Sequence, residues 1–131
     1  MASNPTVLYH IPDPEKARLL TDFCRSIHFQ TKPISGRDAG RTIGSLCGQP
    51  GAQQTAGKVP AGYKLPELLI FSDLSETALD FFLKAYRQAG IAPIALKAIV
   101  TPHNVLWPLY ALTEELEQER AAMLLQRSQT P

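Results

Sequence analysis

The chain has 131 residues, enough for one hydrophobic core and too few for two comfortable domains. Apolar residues make up 44%, charged residues 19% and the formal net charge is +1, a globular balance that excludes general disorder and a strongly basic nucleic-acid tail. No apolar run approaches the roughly eighteen residues of a membrane span, and Met1-Ala2-Ser3-Asn4-Pro5 lacks a basic region followed by an apolar one, so the chain reads as cytoplasmic, without a membrane partner.

The first strand is expected over residues 6–10. Ile11-Pro12 leads out of it, Asp13 is placed to cap a helix, and Pro14 suits a first helical position because its missing amide proton would be unpaired there anyway. That helix, to about residue 27, carries Ala17, Leu20, Phe23, Cys24 and Ile27 at helical spacing, with Leu19 widening the stripe. Residues 29–34 read as a short strand, and Pro33, which has no proton for a ladder hydrogen bond, puts it at a sheet edge. A short helix over about 38–47 stops at Gly48. Residues 49–65 follow as a flexible connector rich in Gly, Pro, Gln and Ala; the phosphate-loop pattern GxxxxGK[ST] is absent, and no strand feeds into it.

Beyond the connector, Leu68-Leu69-Ile70-Phe71 is a continuous apolar run, which predicts a central strand over 66–72. Asp73-Leu74 turns the chain, Ser75 caps a helix that runs to Ala89, and Gly90 ends it; Leu79, Phe82 and Tyr86 form its buried stripe. A fourth strand is expected over 94–101. A long helix from about 107 or 108 carries Leu109, Leu112, Leu116 and Met123 at helical spacing, with the last few residues fraying. Glu114, Glu115, Glu117 and Glu119 form a solvated acidic face on it. Lys97, inside an apolar strand, has to be exposed or paired.

A shift of 62 residues aligns Leu8-Tyr9 with Ile70-Phe71, Asp13 with Ser75, Leu19-Leu20 with Phe81-Phe82, Arg25 with Arg87 and Phe29 with Ile91, a repeat of pattern. The expected fold is therefore a single α/β domain of two β-α-β-α halves, 5–48 and 66–127, forming one four-stranded sheet packed with helices, either doubly wound or ferredoxin-like. Residues 1–65 hold eight Lys/Arg against four Asp/Glu, a charge of +4, and residues 66–131 hold five against eight, a charge of −3; the difference can hold the halves together or mark a partner surface.

Ligands of open α/β sheets gather outside the carboxyl ends of strands, which directs attention to the four strand exits. The last is dense in unusual residues: Thr101, Pro102, His103, Asn104 and then Trp107. Thr101 precedes a proline and is pushed to an extended conformation, Pro102 presets a turn, and Asn104 bonds nearby amides, so a rigid turn is specified. His103 at its tip is a candidate proton carrier or ligand, with Ser72 and Asp73, at the exit of the central strand, as further candidates. Against this stands an architectural reading, in which Thr101 and Asn104 satisfy helix-entry amides and Trp107 plugs the sheet edge. His10, His28, His103, Cys24 and Cys47 show no ligand spacing, so no metal and no cofactor is expected, and the cysteines read as free thiols.

The stretch PELLIFSDLSETALDFFLKAYRQAGI, followed by Leu96-Lys97-Ala98, Thr101-Pro102, Asn104 and Trp107, resembles the bacterial domain of unknown function 3783 over roughly the last 65 residues. The resemblance implies a bacterial cytoplasmic protein of a family with no assigned activity, in which glycine is common where this chain has Asp73 and the position of His103 varies.

The leading functional expectation is a small non-enzymatic binding, regulatory or protein-interaction module, with a small molecule or a protein as partner, self-association through the last helix as one route, and the turn residues Thr101, His103, Asn104 and Trp107 with Ser72 and Asp73 as its surface. The rival is a small enzyme using Asp73 and His103 as an acid-base pair, which requires their side chains to converge. A weaker third is nucleic-acid binding through Lys16, Arg18, Arg25, Lys32, Arg37 and Arg41, disfavoured because no two basic residues are adjacent.

Overall fold

The polypeptide folds as an α/β structure, described over residues 5–129 in a computed structural model. The expectations for Met1 to Asn4, and for fraying at the chain's end beyond residue 129, lie outside the described residues. In chain order the elements are β1 (Thr6–His10), α1 (Pro14–Ser26), β2 (Gln30–Pro33), α2 (Ile43–Leu46), β3 (Leu68–Ser72), α3 (Glu76–Gln88), β4 (Leu96–Ile99) and α4 (Leu109–Gln129), with 3-10 turns at Gly36–Asp38 and Asn104–Leu106. Among the described residues no helix is long and apolar enough to cross a membrane.

Local chemistry starts and stops the two longer core helices at matching places. Asp13 accepts a hydrogen bond from the Glu15 amide at 3.1 Å with Pro14 at the first turn, and Ser75 accepts from the Ala78 amide at 3.1 Å. Past the C-termini the chain enters the left-handed region at His28 (φ 64°) and Gly90 (φ 74°). Glycine adopts that conformation without strain; histidine does not.

The strands form one mixed sheet in the order β2-β1-β3-β4. β1 runs parallel to β2, β3 runs parallel to β4, and the two pairs meet antiparallel through β1 and β3. The expected four-stranded α/β sheet is present; its strand order, which the alternation of strand and helix leaves open, comes from two parallel β-α-β pairs joined antiparallel through β1 and β3. Pro33 sits on an outer strand, as its missing donor requires, and every residue of the central β3 is buried. The antiparallel register, from Thr6↔Ser72 to His10↔Leu68, is centred on Leu8 and Ile70.

Contacts divide the chain into two units. The first takes residues up to 34 together with 67–100 and contains the sheet, α1 and α3. Its core is built on Phe82, whose ring centroid lies 5.0 Å from Phe71, 5.4 Å from Phe23, 5.8 Å from Phe29 and 5.9 Å from Tyr86. Edge-on and stacked arrangements of this kind suit aromatic quadrupoles. Leu20 and Cys24 are buried in it with Ala17, Phe23 and Ile27 packed alongside, but Leu19 is 40% exposed. The expected widening of the stripe is therefore wrong: position 19 turns past the edge of the apolar face.

The second unit takes residues 35–66 with those from 101 on. Its centre is a reciprocal pair of backbone hydrogen bonds, Ile43 N to Trp107 O and Leu109 N to Arg41 O, each 2.9 Å, which start α2 and α4 side by side around the bridge Thr42↔Pro108. Ile43, Leu46, Leu109 and Leu112 are buried. The helix expected over 38–47 is split. Ser35 and Asp38 form a capping box that holds Gly36–Asp38 in a 3-10 turn, and Thr42, accepting from the Ser45 amide at 3.1 Å, starts the helix afresh. Residues 49–65 contain no helix or ladder strand; Thr42 and Ser45 hydroxyls donate to the Gln53 and Gln54 carbonyls, and the Tyr63 hydroxyl is bonded to that of Thr113. On α4 the buried stripe ends early: Leu116 is half-buried and Met123 is 57% exposed, a correction to the expected continuous stripe. The four glutamates of that helix are exposed.

Candidate functional site

At the exit of β4, Thr101 N donates to Asn104 Oδ1 at 2.9 Å and Asn104 N donates to Thr101 Oγ1 at 3.0 Å. Each side chain thus satisfies the other's backbone amide, which fixes the 3-10 turn in the way the turn residues predict. Asn104 is buried and Thr101 exposed. His103 is exposed at the tip, its ring edge-on to that of the half-buried Trp107 at 5.2 Å, and Leu106 beside them is 73% exposed. All of these belong to the second unit.

Ser72 and Asp73, at the exit of β3, belong to the first unit. Ser72 is buried and paired across the sheet with Thr6; Asp73 is exposed with φ 62°. The left-handed backbone explains the glycine that the resemblance implies at this position: the turn requires that conformation, and a short polar side chain is the next best choice after glycine.

A second feature, which no sequence motif announced, lies between α3 and β4. Three residues separate α1 from β2 and seven separate α3 from β4, because Ala92 to Ala95 are additional. The longer connection is anchored by the Tyr86 hydroxyl donating to the Ala92 carbonyl at 2.5 Å, while Ile94 is buried. Beside it opens a cavity of about 350 Å³, walled by Leu69, Phe82, Leu83 and Ile94, with Arg87 and Lys97 among its lining. A smaller hollow of about 190 Å³ continues past Leu83 and Lys97 to Leu79 and Ile99. Parallel register aligns Lys97 with Leu69 and Ile99 with Phe71, so both β4 side chains stand on the face that α3 packs against. There Lys97 is exposed and its Nζ donates to the Ile94 carbonyl at 2.6 Å, which answers the question of what a lysine does in this strand.

Charge reaches the cavity from its lining and from Glu67, which acts on Tyr86. The lining contains two cations and no carboxylate. Burial, with smaller contributions from the charges of Glu67 and Cys24, pushes the Tyr86 hydroxyl up to about 12, so it remains a neutral donor. Burial likewise pushes the nearby Cys24 thiol up to about 12, which makes it unreactive as a nucleophile at neutral pH. Among the described residues no group of three His, Cys, Asp or Glu side chains is gathered for a metal ion.

Sequence reasoning located the Thr101–Asn104 turn and passed over the cavity. Two signals pointed to it: the offset between the halves is 62 from Leu8 through Phe29 and becomes 66 between Gln30 and Leu96, and a lysine interrupts an apolar strand.

Residues 67–123 match the family model described as Domain of unknown function (DUF3783). The match takes in β3, α3, β4, the Thr101–Trp107 turn and most of α4, and with them the whole lining of the cavity. No curated protein and no solved structure matches the chain.

Proposed function

We propose that the chain is a small, non-enzymatic, cytoplasmic binding module built from two copies of a β-α-β-turn-α unit, whose ligand occupies the cavity between α3 and β4. The observation that carries this reading is the cavity itself: an apolar hollow at the lower end of small-molecule pocket sizes, with a few polar groups at its margin. Its lining offers no carboxylate, imidazole or thiol for acid-base or nucleophilic work, which favours binding over turnover. Cys24 and Cys47, neither of them in a disulfide among the described residues, suit a reducing compartment.

The repeat is supported by agreement beyond the β-α-β pattern. Helices α1 and α3 coincide residue for residue at an offset of 62, as do their caps Asp13 and Ser75 and the left-handed residues His28 and Gly90. At an offset of 66, the Ser35/Asp38 box falls on the Thr101/Asn104 pair, and α2 and α4 both begin, at Ile43 and Leu109. On this reading the Thr101–Trp107 turn is chiefly the second copy of a structural cap.

Titrating the full chain with 1-octanol and with octanoate, while following the methyl resonances of Leu69, Leu83 and Ile94, tests the proposal. Saturable shifts of these methyls with at least one of the two are expected, and absence of shifts with both removes the reading. One observation favours a second reading, self-association through α4: Met123, Leu124 and Leu125 are all exposed on its distal turns. A sedimentation profile of strict monomer at high concentration ends it.

A further inference from the structure

Three consecutive carbonyls in the connection between α3 and β4 are each held by a side chain from a different element. The Tyr86 hydroxyl of α3 donates to the Ala92 carbonyl at 2.5 Å, the Lys16 ammonium of α1 to the Pro93 carbonyl at 3.0 Å, and the Lys97 ammonium of β4 to the Ile94 carbonyl at 2.6 Å. Lys16 is itself fixed 3.0 Å from Glu67 Oε1, just before β3, with its side chain mostly buried. Among the described residues, Ala92 to Ala95 enter no backbone hydrogen bond outside helices and strands. Side chains therefore tether this segment, and such tethers can open while helices and sheet stay intact. The rest of the cavity lining lacks that freedom, because Leu69, Phe82, Leu83 and Lys97 stand on β3, α3 and β4. The apolar wall is also sealed: Leu69, Phe82 and Ile94 are each at most 1% exposed, whereas Arg87, Pro93 and Lys97 meet solvent. Pro93 belongs to the exposed rim and Ile94 to the sealed wall, so the tethered segment crosses from one to the other.

We infer, resting on the reading of the cavity as a ligand site, that residues 92–94 form a strap over that site, and that release of the strap admits the ligand to the apolar wall. In the closed state the three carbonyl bonds keep Ile94 against Leu69 and Phe82. On opening, each carbonyl and each donor exchanges its partner for water, so the net cost per bond is modest. The larger cost is the exposure of Ile94 and the wall, and an apolar ligand that takes the place of Ile94 offsets it by covering the same surface. Because only the open fraction binds, the tethers lower the apparent affinity and slow association by the same factor by which they favour closure.

The test measures association rates of 1-octanol and octanoate with the full chain from methyl line shapes, and opening of the strap from relaxation dispersion of the Ile94 methyls, with the buried Ile70 of β3 as the internal control. Tyr86→Phe removes one tether and keeps the ring; Lys16→Met removes another from outside the cavity lining. Each is expected to raise the association rate of whichever compound binds by about fivefold, the effect of one hydrogen bond of ordinary net strength, and to raise the open population reported by Ile94 by a similar factor while Ile70 stays unchanged. Association unchanged in both variants, or dispersion rising at Ile70 as much as at Ile94, overturns the strap while the cavity remains a ligand site. Failure of both compounds to bind the wild type and both variants overturns the cavity reading and the strap with it.

Discussion

The β1-α1-β2 and β3-α3-β4 segments share helix lengths, cap positions and left-handed exits, yet they treat the seam between helix and strand differently. In the first, Phe29 comes directly after the exit and stacks on Phe82 at 5.8 Å. In the second, Ile91 is followed by the additional residues Ala92 to Ala95, and a cavity opens along α3. The longer connection and the cavity thus occur together, in the second segment. Surface connections accommodate added length because each added residue costs little closure entropy.

The largest effect expected from breaking this comparison is at its shared centre. Phe82 and Leu20 are equivalent at the 62-residue offset and both are fully buried. Phe82→Ala is expected to cost about 3–5 kcal/mol, and Leu20→Ala to fall nearer the lower end of about 2–5 kcal/mol, because Phe82 alone contacts four other rings. Urea denaturation of the two variants measures the difference; a larger cost at Leu20 would place the core's weight in the first half.

Cys24 and Tyr86 are also equivalent, and burial pushes both up to about 12, from ordinary values of 9.0 and 10.0. Folding favours the neutral form of each. Their contribution is therefore fully present below about pH 9 and is lost as the pH rises towards 12. The melting temperature should fall across that window, and the fall should be shallower in Tyr86→Phe and in Cys24→Ala. A slope unchanged in both variants would mean that neither group is linked to folding. Thiol labelling gives a second readout: the half-buried Cys47 should react before the buried Cys24.

Smaller effects follow at the caps. Asn104→Ala should cost about 1–2 kcal/mol and Asp38→Ala about 0.5–1 kcal/mol, since Asn104 is the more buried of the two and leaves the Thr101 amide without its acceptor. Equal costs in thermal unfolding would show that burial does not separate the two turns. At the left-handed exits the signs should oppose: His28→Gly is expected to stabilise by up to about 1 kcal/mol, and Gly90→Ala to destabilise by about 1 kcal/mol. Destabilisation in His28→Gly would show that the imidazole makes a contact worth more than the backbone strain.

Much of this architecture was legible in the chain. Asp13-Pro14 and Ser75-Glu76 announce helix starts, Gly90 a helix end, Pro33 an outer strand and Leu68 to Phe71 a central one, each through a constraint acting within a few residues. The Thr101/Asn104 hydrogen bonds were legible for the same reason. Leu19 and Met123 misled because spacing along a helix says which residues share a face but not where the packing partner ends. The split of the 38–47 helix was missed because Ser35 and Asp38 compete for backbone amides that a continuous helix would have left to Thr42.

By itself, the sequence determined the elements, their caps and the alternation that makes an α/β sheet, since hydrogen-bond supply, backbone restriction and apolar periodicity are local properties. Tertiary structure decided the strand order, with its antiparallel join centred on Leu8 and Ile70, and decided that Lys97 stands beside an apolar cavity. Both depend on residues distant in the chain being brought together: pairing β1 with β3 spans 62 residues between Leu8 and Ile70, and the cavity is lined by Leu69 of β3, Phe82 and Leu83 of α3 and Lys97 of β4.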